Sequence, residues 1–426
     1  MLNGVREPLK SKSFRLVWSG ESLSGLGDSA FQVVFAWLVL KHSGAAVLGA
    51  VMLAQAVPRG VLMLVGGAFT DRLSPRVVMM MTHVTRGLAV AAVGTLNMTG
   101  SLHAWQFFAF AIVIGAAEAF FWPANGAIVP SLVPQEHLPR ALGLVTVSEQ
   151  VAMLAGPALG GVAVAAIGTS ASCFLDAATF LIALLTLIPA RVTVPPEEPE
   201  RVSFSALKSE ISSGLGYAFR SRDVRLVLMM ISAAALSYSG LFSVGLPALA
   251  HTFSHSATAL GILVSAWGLG QLCGALGASI TGLPRRWGML IIAMTLCEGC
   301  AFAFLGFIPR PWTAAVVLAL LGVGVAYSTD VALPLFIQTR TPRELLGRVS
   351  SVLNLPRMVF EPISMGLMGL LVSVGVRWGF VAVSVPMLAV GLRLAFDPQA
   401  RSLRVRDDDG DGDHEDAAEA PLTSRG

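Results

Sequence analysis

Pro134-Gln135-Glu136-His137-Leu138-Pro139-Arg140 recurs 208 residues later as Pro342-Arg343-Glu344-Leu345-Leu346-Gly347-Arg348, with Pro, Glu, Leu and Arg in register. Gly67-Ala68, Leu73 and Arg76 recur in the same way as Gly277-Ala278, Leu283 and Arg286, at an offset of 210. Two matches at nearly one spacing mark an internal duplication. Each motif falls between blocks of apolar sequence, so the repeating unit is a set of apolar segments joined by short polar loops.

The blocks are about 20 residues long, the length of helix that crosses a hydrocarbon core. Twelve can be counted, near 16–40, 46–69, 77–98, 104–126, 142–166, 170–190, 226–250, 257–281, 286–308, 312–337, 350–373 and 376–396. Composition agrees. Of 426 residues, 54% are apolar and only 13% charged, about half the charge of an ordinary soluble domain. A soluble enzyme, a disordered chain and a nucleic-acid-binding protein are excluded. The expected fold is an all-α polytopic membrane protein with twelve transmembrane helices in two pseudo-symmetric six-helix halves, the architecture of many secondary transporters.

Lys and Arg placement orients it. Of 29 basic residues, 22 lie in the N-terminus, the loops after even-numbered helices and the proximal tail. By the positive-inside rule both termini are cytoplasmic, in the cell membrane. The first apolar run carries Glu21 and Asp28 and no cleavage site, so it reads as a retained helix. The expected divisions are an N-terminal half at 1–190, a cytoplasmic linker at 191–225, a C-terminal half at 226–396 and an acidic disordered tail at 397–426. Asp407-x-Asp409-x-Asp411-Gly412 in that tail starts like an EF-hand loop, but residue 418 is Ala where the closing Glu belongs. It reads as a solvated charge run. Cys173, Cys273, Cys297 and Cys300 all lie in apolar runs and propose no disulfide framework. Cys297-x-x-Cys300 has the spacing of a metal or redox pair but sits mid-helix without partner ligands and reads as small-residue packing. No metal site and no cofactor is expected.

Eleven ionisable residues fall inside the apolar runs: Glu21, Asp28, Arg59, Arg86, Glu118, Glu149, Asp176, Glu298, Asp330, Arg357 and Glu361. Each costs about 2.5–3.5 kcal/mol at the bilayer centre on an insertion scale, so they must face a wet cavity, pair, or sit at interfaces. Glu21, Gly25, Asp28 and Gln32 share one stripe of helix 1. Asp28 and Gln32 are the leading substrate or proton candidates; the structural alternative is an ion pair, for example Asp28 with Arg59. On helix 11, Arg357 and Glu361 stand at i, i+4 and can pair. Glu149 and Arg357 occupy equivalent positions of the two halves and could form a cytoplasmic gate pair. Glu118, Glu298 and Asp330 are further protonation candidates, while Asp176 reads as interfacial or capping. Trp37, Phe121, Trp122, Trp267 and Tyr327 could stack on a substrate, or anchor and pack.

Gly67-Ala68-Phe69-Thr70-Asp71-Arg72-Leu73-Ser74-Pro75-Arg76, between helices 2 and 3, resembles the signature loop of the major facilitator superfamily. In that resemblance Gly67, Asp71, Arg72 and Arg76 form a cytoplasmic gating loop. Asp71 would meet the positive N-terminal end of helix 11. Ser74 and Pro75 depart from the usual Gly and basic residue, and Thr281 replaces Asp71 in the second half. Gly156-Pro157-Ala158-Leu159-Gly160-Gly161 on helix 5 is similar to the antiporter motif of the same superfamily, with Gly143 upstream and Ala152 in place of a Gly; as bare sequence it is equally a close-packing face.

Phe14-Arg15-Leu16, Ser24-Gly25-Leu26-Gly27-Asp28, Glu118-Ala119-Phe120-Phe121-Trp122-Pro123-Ala124 and Leu175-Asp176-Ala177 resemble the drug–proton antiporter branch with macrolide-efflux-like and enterobactin-exporter-like proteins. Helix 4 lacks the Arg-containing motif of other multidrug branches, so their coupling scheme does not carry over.

The resemblance implies proton-coupled export of small amphipathic or hydrophobic, antibiotic-like compounds by a monomer in the lipid bilayer. A siderophore, lysophospholipid or metabolite carrier of the same fold is the alternative, and a non-transporting receptor or scaffold the second. No G-x-x-x-x-G-K-[ST] loop is present, and the seven histidines mostly scatter to loops and helix ends, so neither an ATP-driven pump nor an enzyme is expected.

Overall fold

The computed structural model describes residues 7–190, 222–254, 256–281, 287–327, 346–398 and 401, without the side chains of 64–72, 222, 223, 254, 287 and 346–351. Among these residues it is helical throughout, with no strand. Lys12–Arg72 and Leu138–Leu187 are each continuous helix by hydrogen bonding, yet each contains one glycine at positive φ: Gly44 (φ 80°, ψ 177°) and Gly168 (φ 80°, ψ 169°). That region is essentially closed to residues with a Cβ, and it turns the chain back on itself. A straight 61-residue helix would run about 90 Å, three times the hydrocarbon core.

Splitting at these glycines gives α1 (12–43), α2 (45–72), α3 (Pro75–Met98), α4 (Ala104–Leu132), α5 (138–167) and α6 (169–187). The remainder are α7 (222–254), α8 (Ala257–Thr281), α9 (Trp287–Leu305), α10 (Pro311–Val325), α11 (Leu346–Val374) and α12 (Val376–Ala395). Twelve helical segments are thus present among the described residues, matching the twelve apolar runs within a few residues except at the end of the run at 312–337, which lies outside the described residues. Their outer faces are apolar, with Leu88, Trp312, Leu320 and Val374 all more than 60% exposed. A surface of that kind belongs against lipid, and the chain is a multi-pass membrane protein. Cys297 and Cys300 lie on such an exposed face, which corrects their reading as packing residues. Gly299 between them makes the contact, against Leu388 of α12.

Helix contacts are made where glycine lets backbones approach. Gly156 and Gly160 of α5 face Ser29 and Ala30 of α1. Gly87 and Gly94 of α3 face Phe180 and Cys173 of α6, and Gly270 and Gly274 of α8 face Ala319 and Val323 of α10. Two further seams join the first six helices to the last six. In one, a Cβ on Gly49 of α2 would lie 2.7 Å from the Cα of Gly369 of α11. In the other, a Cβ on Gly161 of α5 would lie 2.8 Å from the Ala257 carbonyl oxygen, and one on Gly261 of α8 would lie 2.5 Å from that of Pro157.

Both seams widen in one direction. Along α2–α11 the same probe reaches Leu53 from Gly366 at 3.8 Å and the Met358 carbonyl from Gly60 only at 3.9 Å. Along α5–α8 it reaches Leu154 from Gly268 at 3.2 Å, while Gly143 has nothing within 4 Å. The bundle is therefore closed at the end bearing Gly44 and Gly168, where Trp37 also meets His251 with ring centroids 5.5 Å apart. It opens toward the end bearing the 73–74 and 133–137 connections.

α7 is interrupted by a π turn at Leu241–Gly245. Just before it, the Ser364 hydroxyl of α11 accepts from the Gly240 N–H (2.8 Å) and donates to the Leu236 carbonyl (2.5 Å). Those two backbone groups pair with each other in an uninterrupted helix, so a neighbour's hydroxyl supplies both partners where the ladder changes register. The irregular turn puts Phe242 and Ser243 on the central cavity, in keeping with the frequent place of π turns at functional sites.

Candidate functional site: the central cavity

A cavity of about 850 Å³ lies between the first six helices and the last six. Its lining is mixed. Phe31, Phe35, Tyr238, Phe242 and Trp267 supply aromatic surface, and Met52, Met153, Met230, Met365 and Met387 supply flexible, polarisable surface. Seven sequence candidates line it together: Asp28, Gln32, Arg59, Glu118, Glu298, Arg357 and Glu361. Pro157 of the antiporter-like motif also reaches it, while Gly156, Gly160 and Gly161 are spent on the α1 and α8 contacts.

The ion pairs differ from the expected ones. Asp28 accepts from Arg86 of α3, not from Arg59. Arg59 instead stands between two carboxylates, 3.5 Å from Glu118 of α4 and 3.7 Å from Glu361 of α11, and so ties the two sets of helices across the cavity. Glu361 takes this bond rather than one to Arg357 four residues earlier, which corrects the expected i, i+4 pair. Glu118 also accepts from Gln55 Nε2 at 3.3 Å. Glu298, on the far wall, accepts from the Tyr238 hydroxyl at 2.7 Å. Tyr238 belongs to a ring cluster with Phe242, Trp267 and Phe302 at centroid distances of 5.0–6.1 Å. A carboxylate beside such π faces suits an amphipathic ligand, its rings stacking while a polar or cationic group meets the acid.

Two groups went unmarked. Arg86 was noted only as an intramembrane charge, yet it is 3% exposed, with its guanidinium carbon 4.5 Å from the Phe180 ring centroid and 5.2 Å from that of Phe121. His83, one turn earlier on α3, is buried and lies 2.8 Å from Glu21. The available signal was spacing: residues 83 and 86 share a face of α3, as Glu21 and Asp28 share a stripe of α1. Asp176 is 3% exposed and lies midway along α6, so it does not cap a helix end. Glu149 and Arg357 are both exposed, and no ion pair joins them among the described residues.

Arg76 donates to the Ile188 carbonyl, tying the start of α3 to the end of α6. The surroundings of Gly67, the side chains of Asp71 and Arg72, and all of Asp330 lie outside what the structure describes. Trp37 is buried against His251, Phe121 packs on Arg86 and His83, Trp122 is exposed, and Tyr327 contacts Thr281. Of the five aromatics considered for substrate stacking, Trp267 lines the cavity.

The "Multidrug efflux pump Tap" of Mycolicibacterium fortuitum is 28% identical over 414 residues, covering 95% of this chain and 98% of that protein. The "Enterobactin exporter EntS" of Shigella boydii serotype 18 is 27% identical over 311 residues, 72% of each chain. Among solved structures, the nucleoside transporter NupG superposes with a TM-score of 0.68 at 14% identity, covering 91% of this chain and 98% of that one. A bacterial homologue of the human lysosomal transporter Spinster, in an inward-facing and unoccupied conformation, gives 0.66 at 12% identity, covering 93% and 96%. These two share the fold. The sequence profile of the Major Facilitator Superfamily matches residues 17–359, and with that match, over a cavity-centred bundle of twelve helical segments, this chain belongs to the Major Facilitator Superfamily.

Proposed function

We propose that the protein is a proton-coupled exporter of small amphipathic or hydrophobic compounds, antibiotic-like in character, acting by alternating access between six-helix halves at 1–190 and 226–396. The observation that carries this reading is the cavity itself: aromatic and methionine walls with four carboxylates and two arginines in one space of about 850 Å³. A drug-sized ligand fits such a volume, and the carboxylates give protons a place to bind. Relatives named as a multidrug efflux pump and an enterobactin exporter support the outward direction. With both termini and the basic loops cytoplasmic, the open mouth faces the cytoplasm, the side from which an exporter loads. Arg59 and Arg357 in the cavity favour an anionic siderophore as the second reading.

Everted membrane vesicles energised with a pH gradient test this, with wild type beside Asp28→Asn. Proton release is recorded while macrolides, tetracyclines, cationic dyes and siderophores are added in turn. Release driven by one class in wild type and lost in the variant is the expected result. Silence across the panel, with folded protein shown to be present, removes the exporter reading.

Glu149 on α5 and Arg357 on α11 are both exposed, and Arg357 lines the cavity. They are proposed as a pair that forms when the mouth closes. Glu149→Arg and Arg357→Glu are each expected to abolish export, and the double swap to restore a substantial part of it. A dead swap beside two dead single variants would discard the pair.

A further inference from the structure

α1, α3 and α6 meet at a second group of charges behind the cavity wall. Arg86 of α3 donates to Asp28, whose side chain is 29% exposed and lines the cavity. Asp176 of α6 is packed against the same turn of α1: a Cβ on Gly27 would lie 2.5 Å from its Oδ1. The bonds made to Asp176 are few. Thr179 Oγ1 is 3.3 Å from Oδ1 but only 2.8 Å from the Asp176 backbone oxygen, and a hydroxyl has one proton to give. Asp176 Oδ2 and Arg86 Nε are both buried without a hydrogen-bond partner among the described residues.

Two further acids lie near. Glu118 of α4 is 3.5 Å from Arg59, which it shares with Glu361, and its Oε2 has no hydrogen-bond partner among the described residues. His83 of α3 is bonded to Glu21 of α1. Glu149 and Arg140 of α5 are exposed, and Cys173 lies one turn before Asp176. One guanidinium, held between two phenyl rings, is bonded to Asp28 with Asp176 packed on the same turn of α1, while Glu118 is divided between it and Arg59, so full ionisation leaves negative charge uncompensated where water is excluded. A bound proton removes that charge.

We infer that Asp28, Arg86 and Asp176 form one proton-binding unit, in which two carboxylates share a single guanidinium and a single exchangeable proton. Asp28 is the cavity-facing port and Asp176 the buried acceptor. A proton from cavity water binds a carboxylate oxygen of Asp28, taking the unit from one net negative charge to none. It passes to Asp176 as Arg86 remains with the ionised Asp28, and release reverses both steps. The unit rests on the proton-coupled reading above and assigns that coupling to residues; sharing makes the proton a property of the pair rather than of either acid.

The test needs no substrate. Purified protein in liposomes is titrated with pH while difference infrared spectroscopy follows the carbonyl stretch of protonated carboxylic acids. Wild type is expected to show a titrating carboxyl band that disappears in both Asp28→Asn and Asp176→Asn, because Arg86 balances whichever carboxylate remains. Glu118→Gln, Glu298→Gln and Glu361→Gln keep it. Persistence of the band in Asp176→Asn, or its loss in only one of the two Asn variants, overturns the shared unit.

Should Asp176→Asn fail to fold, Asp176→Glu, which keeps the carboxyl group but moves it by one methylene, is expected to shift the midpoint of the band; an unmoved midpoint overturns the inference equally. A titrating unit with silent vesicles discards the exporter reading alone. Proton-coupled export with the band intact in Asp176→Asn discards the unit alone.

Discussion

Arg86→Met, just behind the cavity wall, is expected to destabilise the protein more than any single change in the wall itself, by about 3–5 kcal/mol, the usual cost of removing one partner from a buried ion pair. The side chain is 3% exposed and its charge is held between the rings of Phe121 and Phe180. Methionine keeps most of the volume and the contact with those rings. What it removes is the donor to Asp28 and, among the described residues, the cation that acts on Asp176. The loss should therefore be electrostatic, and the triple variant Arg86→Met, Asp28→Asn, Asp176→Asn should recover most of it, because no charge is then left unpaired. Thermal unfolding in detergent, followed by loss of monodispersity, gives the comparison. An Arg86→Met protein that melts with wild type would show that the buried charges are solvated by some other route.

That pair also marks where sequence reasoning stopped. Apolar runs, the 208-residue repeat and the Gly-rich face of α5 are local or periodic signals; the runs and the glycine face are present as read, while the repeat's second copy lies outside the described residues or their side chains. The stripe of Asp28 and Gln32 was legible because residues four apart on a helix share a face, and both line the cavity. Which cation meets which acid was not legible. Asp28 meets Arg86 from 58 residues away, and Arg59 meets Glu118 from 59 and Glu361 from 302. These partners are set by how helices rotate and slide against one another, and glycine contacts such as Gly49 with Gly369 set that register. The i, i+4 pair expected for Arg357 and Glu361 failed for the same reason. A neighbouring helix brought Arg59 close to Glu361, and a local rule cannot weigh that competition.

Gly161→Leu is expected to shift the protein away from the conformation closed at the Gly44 and Gly168 end. At that seam α5 and α8 touch backbone to backbone: the Gly161 position is 2.8 Å from the Ala257 carbonyl and 3.0 Å from the Thr258 Cα, measured from where its Cβ would stand. Helical backbone cannot retreat from a side chain as a flexible side chain would, so the helices must separate. Overpacking of this kind costs about 1–3 kcal/mol, which amounts to roughly 5–150-fold in the ratio of two conformations. The strain exists only where the seam is shut, so it favours the state in which that end opens.

Gln32→Cys, on the cavity wall, reports the change when the four native cysteines are replaced by serine. Its labelling by a membrane-impermeant thiol reagent from the Gly44 side should rise by about the same 5–150-fold. Gly143→Ala serves as the control. That glycine belongs to the same helix and the same motif, yet nothing lies within 4 Å of its Cβ position at the open end, so its variant should label like wild type. Equal labelling in Gly161→Leu and Gly143→Ala would mean that the α5–α8 contact does not hold that end shut, and the closure would then have to be carried by the α2–α11 seam at Gly49 and Gly369.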